Sequence, residues 1–228
     1  MTITTAPVTD YSDQTGIFDP SQVSTTITII GCGGIGASIL PTLLTMGLRS
    51  FVLYDGDYVE PRNLSTNLIF RPQDLYRSKV DRVKEYLEEY GENVTVTAHQ
   101  EHYVDQPLSG IVISGVDSMA ARKLIWENLA DNDDVILYMD GRIGGQFMQL
   151  FCLEPLIGDR NDEYAKHNLF RDEDASELPC TERTVVYPAV ALGTLMASYL
   201  SKWQRGQPVP FMSNLHFGGE IPQMVFIQ

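Results

Sequence analysis

Thr26-Ile-Thr-Ile-Ile30 runs straight into Gly31-Cys32-Gly33-Gly34-Ile35-Gly36, and this stretch decides the fold. A short β-branched run that stops at glycine has the pattern of a buried parallel strand. Beyond it, Ile35, Ile39, Leu43 and Met46 recur at helical spacing, so a helix is expected over Ile35–Met46, with Pro41 as a candidate kink. Glycines at such a junction let the backbone turn tightly and bring its N–H groups against a phosphate at the helix N-terminus. Strand, glycine turn and helix together imply a Rossmann-like nucleotide site, with Gly31, Gly33, Gly34 and Gly36 as its phosphate-binding residues.

Working outward, Ser50–Tyr54 reads as a second strand closed by Asp55, placed where an acid accepts hydrogen bonds from ribose hydroxyls. Ser78–Tyr90 reads as an amphipathic helix with Val80, Val83 and Leu87 inward, ended by Gly91. Val94–Ala98, Ile111–Ser114 and Val135–Met139 read as strands, with a helix near Ser118–Leu129 between the last two. Gln146–Leu153 reads as another strand, and Thr184–Trp203 as a long apolar helix beginning near Pro188. Met212–Phe217 and Met224–Ile227 complete the pattern as two short strands. Strands alternating with helices of this length predict an α/β fold, a doubly wound and mostly parallel sheet with extra C-terminal strands. Residues 1–24 are polar and aperiodic and read as a loosely packed N-terminal arm; residues 25–228 read as a single domain. Glu154–Cys180 breaks the alternation, is too long for an ordinary connection, and reads as a functional or mobile crossover loop.

Composition narrows the function classes. The 228 residues carry 16 basic against 30 acidic side chains, a net charge of -14 that repels phosphate backbones and anionic lipid. Nucleic acid and membranes are therefore not expected partners. Cys32, Cys152 and Cys180 cannot all pair and form no C-x-x-C, which argues against a disulfide framework or a four-thiolate zinc site. The polar start carries no basic n-region and no apolar run reaches the ~18 residues of a membrane span, so a cytoplasmic setting is expected. His99 and His102 have no third ligand at suitable spacing and read as a strand-end surface pair.

The block Asp55-Gly-Asp57-Tyr-Val59-Glu60-Pro-Arg62-Asn63-Leu64 separates this chain from a dinucleotide dehydrogenase. It resembles the D-x-D-x-V-x-x-x-N-L motif of the ThiF/MoeB/HesA adenylyltransferases, the superfamily that includes the ubiquitin-activating enzymes. Lys79 stands sixteen residues beyond Asn63, as that superfamily's phosphate-binding lysine does. Ser114-Gly-Val-Asp117-Ser-Met-Ala-Ala-Arg122 resembles its strand-end aspartate and arginine-bearing helix, and Asp140-Gly-Arg142-Ile-Gly-Gly145 its next strand end. The match runs in order from about Thr25 to Trp203.

Carried over, the resemblance implies a reaction. ATP would lie over Gly31–Gly36, with Asp55 and Asp57 in the cofactor-binding set, Asp55 on the ribose. Lys79 would neutralise phosphate charge, Asn63 would hydrogen-bond near the scissile phosphate, and Asp117 would hold Mg²⁺. The C-terminal carboxylate of a small ubiquitin-like or sulfur-carrier protein would attack the α-phosphorus, and the enzyme would work as a homodimer. Leu178-Pro179-Cys180-Thr181 resembles the position of the cysteine that accepts the acyl group as thioester or acyl-persulfide; Arg183 and a following helix N-terminus would lower its thiol pKa.

Two departures stand out. The superfamily continues N-L-x-R-Q, whereas Thr66 and Asn67 occupy the last two positions here, and no arginine precedes Arg49. Arg62, Arg71 and Arg142 are the candidates to compensate. Without compensation, the chain reads as a degenerate partner subunit that keeps the fold; adenylation of a small molecule, tRNA base or peptide is a further alternative. Acids concentrate between residues 159 and 177 and suggest a partner with a basic surface.

Overall fold

In the computed structural model, which describes residues 9–130, 132–171, 173 and 185–227, strand β1 (Ile27–Ile30) lies inside the sheet with all four residues buried. The glycine turn leads into α1 (Gly34–Thr45), a single helix that runs through Pro41. Then come β2 (Ser50–Tyr54), α2 (Lys79–Tyr90), β3 (Thr95–His99), β4 (Gly110–Ser114), α3 (Met119–Leu129) and β5 (Val135–Gly144). β6 (Phe147–Leu153), α4 (Asn161–Glu163) with a π-helical turn over Tyr164–Asn168, α5 (Val186–Gln204), β7 (Met212–His216) and β8 (Gln223–Ile227) complete it. Short 3-10 turns at Pro20–Gln22, Pro61–Ser65 and Pro72–Asp74 each begin with proline, whose fixed φ suits a first helical position.

The eight strands form one sheet in the order β3-β2-β1-β4-β5-β6-β7-β8. β3 through β5 are parallel and β6 to β8 antiparallel, as the alternation of strands and helices predicts. Period-2 alternation sorts the strands' side chains between two layers. Ile27, Ile29, Ile111 and Ile113 join α1, α2 and α5 in one core; Ile30, Val112 and Tyr138 join Ile125, Trp126 and Leu129 of α3 in the other. Each fully buried aliphatic side chain contributes roughly 1.5–3 kcal/mol. Because α1 and α3 cover opposite faces, the chain reverses direction between β1 and β4. A crevice opens there, outside the strands' C-terminal ends.

Three expectations change. The N-terminal arm is docked from Thr9 onward: Phe18 is buried, Ser201 Oγ donates to Ile17 O (2.7 Å) and Gln14 Nε2 to Met46 O (2.7 Å). Buried Phe18 together with these hydrogen bonds holds a polar segment that shows no periodicity. Asp140 is not a strand end, because β5 continues to Gly144 as half of a hairpin with β6; only its parallel pairing stops there, at Ser114↔Asp140. The crossover loop begins with helical turns that bury Tyr164 completely. Cys180, Thr181, Arg183 and Thr184 lie outside the described residues.

Among the described residues no helix is long and apolar enough to cross a membrane.

Candidate active site

The crevice at the switch point is a cleft of about 670 Å³. Gly31 enters it at φ +91°, and a Cβ there would stand 2.9 Å from Gly115 O, so the β1 and β4 turns touch through backbone alone. Gly36 lies against Gly31, where a Cβ would come within 2.0 Å of the Gly31 oxygen. Gly33 differs: nothing lies within 4 Å of its Cβ position, and the residue lines open cleft at the N-cap of α1. Backbone N–H groups at that helix start are thereby left accessible to an anion.

Asp55 follows β2 and is 8% exposed. Its Oδ2 accepts the Cys32 N–H and its Oδ1 the Asp57 N–H, both at 2.8 Å. The carboxylate therefore ties the glycine turn to the β2 loop, and each oxygen retains acceptor capacity for a hydroxyl. Burial pushes this carboxyl above its ordinary value, opposed by Lys79 and the two N–H donors. Cys32, fully buried with its thiol pushed well up by burial, is a packing residue, as its place in the turn predicts. Burial likewise raises the Cys152 thiol to about 12.

Lys79 is the first residue of α2, which Ser78 caps by accepting the Asp81 N–H. Its Nζ donates to Asp57 Oδ2 at 2.8 Å, and that bond is the main reason Asp57 sits below the usual carboxylate range. Phosphate and Asp57 thus compete for the same ammonium. Asn63 stands in the 3-10 turn, its Oδ1 occupied by the Glu60 N–H (2.9 Å), so its amide N–H₂ is the group it can offer to a phosphate. Asp117 is exposed on the opposite wall, between Gly115 and the α3 N-cap Ser118. Gly31, Gly33, Gly34, Asp55, Asp57, Asn63, Lys79 and Asp117 all line this one cleft; Gly36 supports it from behind.

The arginine candidates separate. Arg62 lines the cleft with its side chain 81% exposed, paired with Glu60 at 2.5 Å. Arg71 caps the carbonyls of Leu68 and Phe70, and Arg142 is committed to buried Asp140 (2.7 Å) and Asn168 O (2.9 Å). Neither lines the cleft, so Arg62 alone of the three can reach a phosphate there. Thr66 turns its hydroxyl to the carbonyls of Arg62 and Asn63, whereas Asn67 is buried and donates to Gly33 O (3.1 Å), holding the glycine turn.

Sequence reasoning missed the far wall. His99 stacks on Tyr54 (4.5 Å between ring centroids), and Tyr103 meets Tyr54 edge-on at 5.5 Å. His102 covers Gly56, lines the cleft and stands 3.8 Å from Asp57. The strand-end surface pair stands, with His99 ending β3 and the His102 side chain 77% exposed, and the two flank a loop at one end of the cleft. Only the density of aromatic and histidine residues at 99–103 hinted at this. In the acidic crossover Asp162 pairs with Lys166, Glu163 with Arg160 and Glu173 with Arg171; these exposed pairs use the three Lys and Arg side chains of residues 159–177 and leave its acidic excess in place.

For magnesium, the donor set is informative. Among the described residues no group of three or more His, Cys, Asp or Glu side chains forms a cage. A single exposed Asp117 in the same cleft as the α1 N-terminus would suit Mg²⁺, which takes one or two carboxylates and completes its octahedron with phosphate oxygens and water.

A family model described as ThiF family matches residues 21–218. The sulfur carrier protein ThiS adenylyltransferase of Escherichia coli is 28% identical over 205 residues, covering 86% of this chain and 79% of that protein. The catalytic subunit of the NEDD8-activating enzyme E1 of Caenorhabditis elegans is 31% identical over 124 residues; the match covers 52% of this chain and only 28% of that protein. Among solved structures, E. coli MccB with MccA-N7isoASN superposes with a TM-score of 0.71 at 16% identity, covering 91% of this chain and 65% of that one. SeMet PaaA gives 0.70 at 19% identity, covering 91% and 66%. Both are similar in fold.

Proposed function

Since this chain belongs to the ThiF family, we propose that it is an ATP-dependent adenylyltransferase acting on the C-terminal carboxylate of a small ubiquitin-like or sulfur-carrier protein. The observation that carries the reading is the convergence of the glycine turn, Asp55, Asn63, Lys79 and Asp117 on one cleft. ATP lies with its phosphates on the N–H groups at the start of α1 and its ribose hydroxyls on Asp55. Lys79 leaves Asp57 for the phosphates, and Arg62 swings from Glu60 to serve where Thr66 cannot. Asp117 would hold Mg²⁺ in this cleft, and the ion would supply further positive charge beside the phosphates.

A carboxylate oxygen of the carrier attacks the α-phosphorus. One P–O bond forms as the bond to the bridging oxygen breaks, and its electron pair leaves with pyrophosphate. Positioning and charge stabilisation do most of the work in such a transfer, which is why cations crowd the cleft. Cys180 thiolate then attacks the acyl carbon and AMP departs with the C–O electron pair, giving a thioester; if a sulfane-sulfur donor has first converted Cys180 to the persulfide, its outer sulfur attacks instead, AMP leaves in the same way, and the acyl-persulfide forms. The protein acts as a cytoplasmic homodimer in this reading.

ATP–pyrophosphate exchange with candidate carriers tests it, with exchange expected for wild type and Cys180→Ala and abolished by Asp117→Ala and Lys79→Ala. No exchange with any carrier, despite tight ATP binding, sinks it. The second reading, a partner subunit without catalysis, draws support from the backbone-bound hydroxyl of Thr66 where an arginine is expected. It predicts no thermal stabilisation by ATP–Mg²⁺, because only a ligand that binds the native state stabilises it.

A further inference from the structure

Behind the cleft, Asp140 is 0% exposed and carries four donors on its two oxygens. Oδ1 accepts from Arg122 Nε (3.0 Å) and Ser114 Oγ (3.0 Å); Oδ2 accepts from Arg142 Nε (2.7 Å) and Tyr164 OH (3.0 Å). Arg122, itself buried, spends its other donors on backbone: Nη1 reaches Ser118 O (3.3 Å), and Nη2 reaches Val116 O and Gly141 O. Val116 and Ser118 are the residues on either side of Asp117. On the far side of Asp140, Arg142 donates to Asn168 O (2.9 Å) and lies over the rings of Phe151 and Tyr164. One unbroken set of hydrogen bonds therefore joins the two carbonyls that bracket Asp117 to the helical turns at 161–168.

Stability alone does not account for this arrangement. Removing three charges from water costs several kcal/mol per ion, and apolar replacements of similar volume are often neutral or better. What a saturated, buried ion cluster supplies is a fixed geometry, since each member has one arrangement that satisfies it.

We propose that Asp140 is a positioning residue: through Arg122 it sets the backbone that carries Asp117 into the nucleotide cleft, and through Tyr164 it couples that backbone to the start of the crossover segment. The inference rests on the proposed role of Asp117 at Mg²⁺–ATP. Occupancy of the cleft is then felt at residues 161–168, and a displacement there moves Asp117.

Asp140→Asn would leave two buried arginines short of a counter-charge and is expected to unfold, so the informative variants are Tyr164→Phe and Arg122→Lys. Each, with wild type, is titrated calorimetrically with a non-hydrolysable ATP analogue, once in Mg²⁺ and once in EDTA. The affinity gained on adding Mg²⁺ is expected to fall about tenfold in Tyr164→Phe, the loss of one hydrogen bond to a charged group, and by more in Arg122→Lys, whose ammonium cannot keep all the bonds to Asp140, Ser118, Val116 and Gly141, with affinity in EDTA unchanged. Amide exchange of 161–168 is expected to slow on nucleotide–Mg²⁺ binding in wild type and not in Tyr164→Phe. A purely structural network would lower Tm and leave the gain from Mg²⁺ intact; that result overturns the proposal. Wild type that binds the analogue yet exchanges no pyrophosphate refutes the adenylyltransferase reading while the Mg²⁺ comparison still decides this one. Wild type that binds no analogue overturns both.

Discussion

Two glycines three residues apart at the start of α1, Gly33 and Gly36, should respond differently to the same added methyl group. At Gly36 a Cβ would stand 2.0 Å from Gly31 O and 3.0 Å from Ile29 Cγ2. Carbon and oxygen in contact sit about 1 Å or more further apart, so α1 must retreat from the turn. Overpacking of this kind costs about 1–3 kcal/mol, and the helix propensity of alanine returns at most ~1 kcal/mol. For a domain of this size Tm should fall by roughly 2–4 °C per kcal/mol lost. At Gly33 the Cβ position is open, but φ -75° with ψ -146° lies outside the broad β region, so Gly33→Ala should cost about 1 kcal/mol and lower Tm by roughly 2–4 °C. That methyl also enters the space a phosphate needs, and nucleotide affinity should fall by about tenfold or more. Differential scanning calorimetry reads the first effect and calorimetric ATP titration the second. A stable Gly36→Ala would refute the packing argument, and a Gly33→Ala variant that binds ATP like wild type would remove the turn as the phosphate cradle.

Lys79→Met should let the Asp57 carboxyl rise toward its ordinary value, since the Lys79 hydrogen bond is its main depressant; carboxyl-carbon NMR titration reads this, and an unmoved Asp57 would contradict the pairing. Arg62→Ala should leave Tm unchanged, its side chain being 81% exposed, and cut pyrophosphate exchange about a hundredfold or more. Unaltered exchange would hand the charge-stabilising role to another group. For pH, burial opposes the Asp140 charge, but Arg122 and Arg142 outweigh it and hold the carboxyl below 3.8. A depressed folded value means that the stability this group contributes is complete above the ordinary carboxylate range and is lost as pH falls through the folded value. Near-UV circular dichroism of the Trp126, Tyr138 and Tyr164 cluster should therefore lose no signal through Asp140 between about pH 5 and 7 and report unfolding only below about pH 4.

The glycine turn, Asp55 and Asp117 were legible because each stands at or just after a strand end, whereas Asn63 and Lys79 were legible only through the family resemblance. In a parallel sheet those ends gather at one edge, so residues far apart in sequence converge without any knowledge of packing. Arg142 shows where that logic stops. Its spacing suits a phosphate clamp, yet Phe151 and Tyr164 from other elements enclose it and Asp140 takes its charge. His102 shows the converse: a residue with no motif becomes part of the cleft because the loop after β3 folds back over Gly56.

Sequence periodicity therefore determined the element order and the parallel sheet, because strand and helix periods and glycine spacing are local properties of the chain, while the roles of Asn63, Lys79 and Asp117 were read from the family resemblance. Only the tertiary structure decided which arginine faces the cleft, that Lys79 is held by Asp57, that Phe18 anchors the arm, and that Asp140 joins the Asp117 turn to the crossover segment. Those outcomes depend on which side chains meet across the fold, and charge and burial there are set by neighbours the local pattern does not contain.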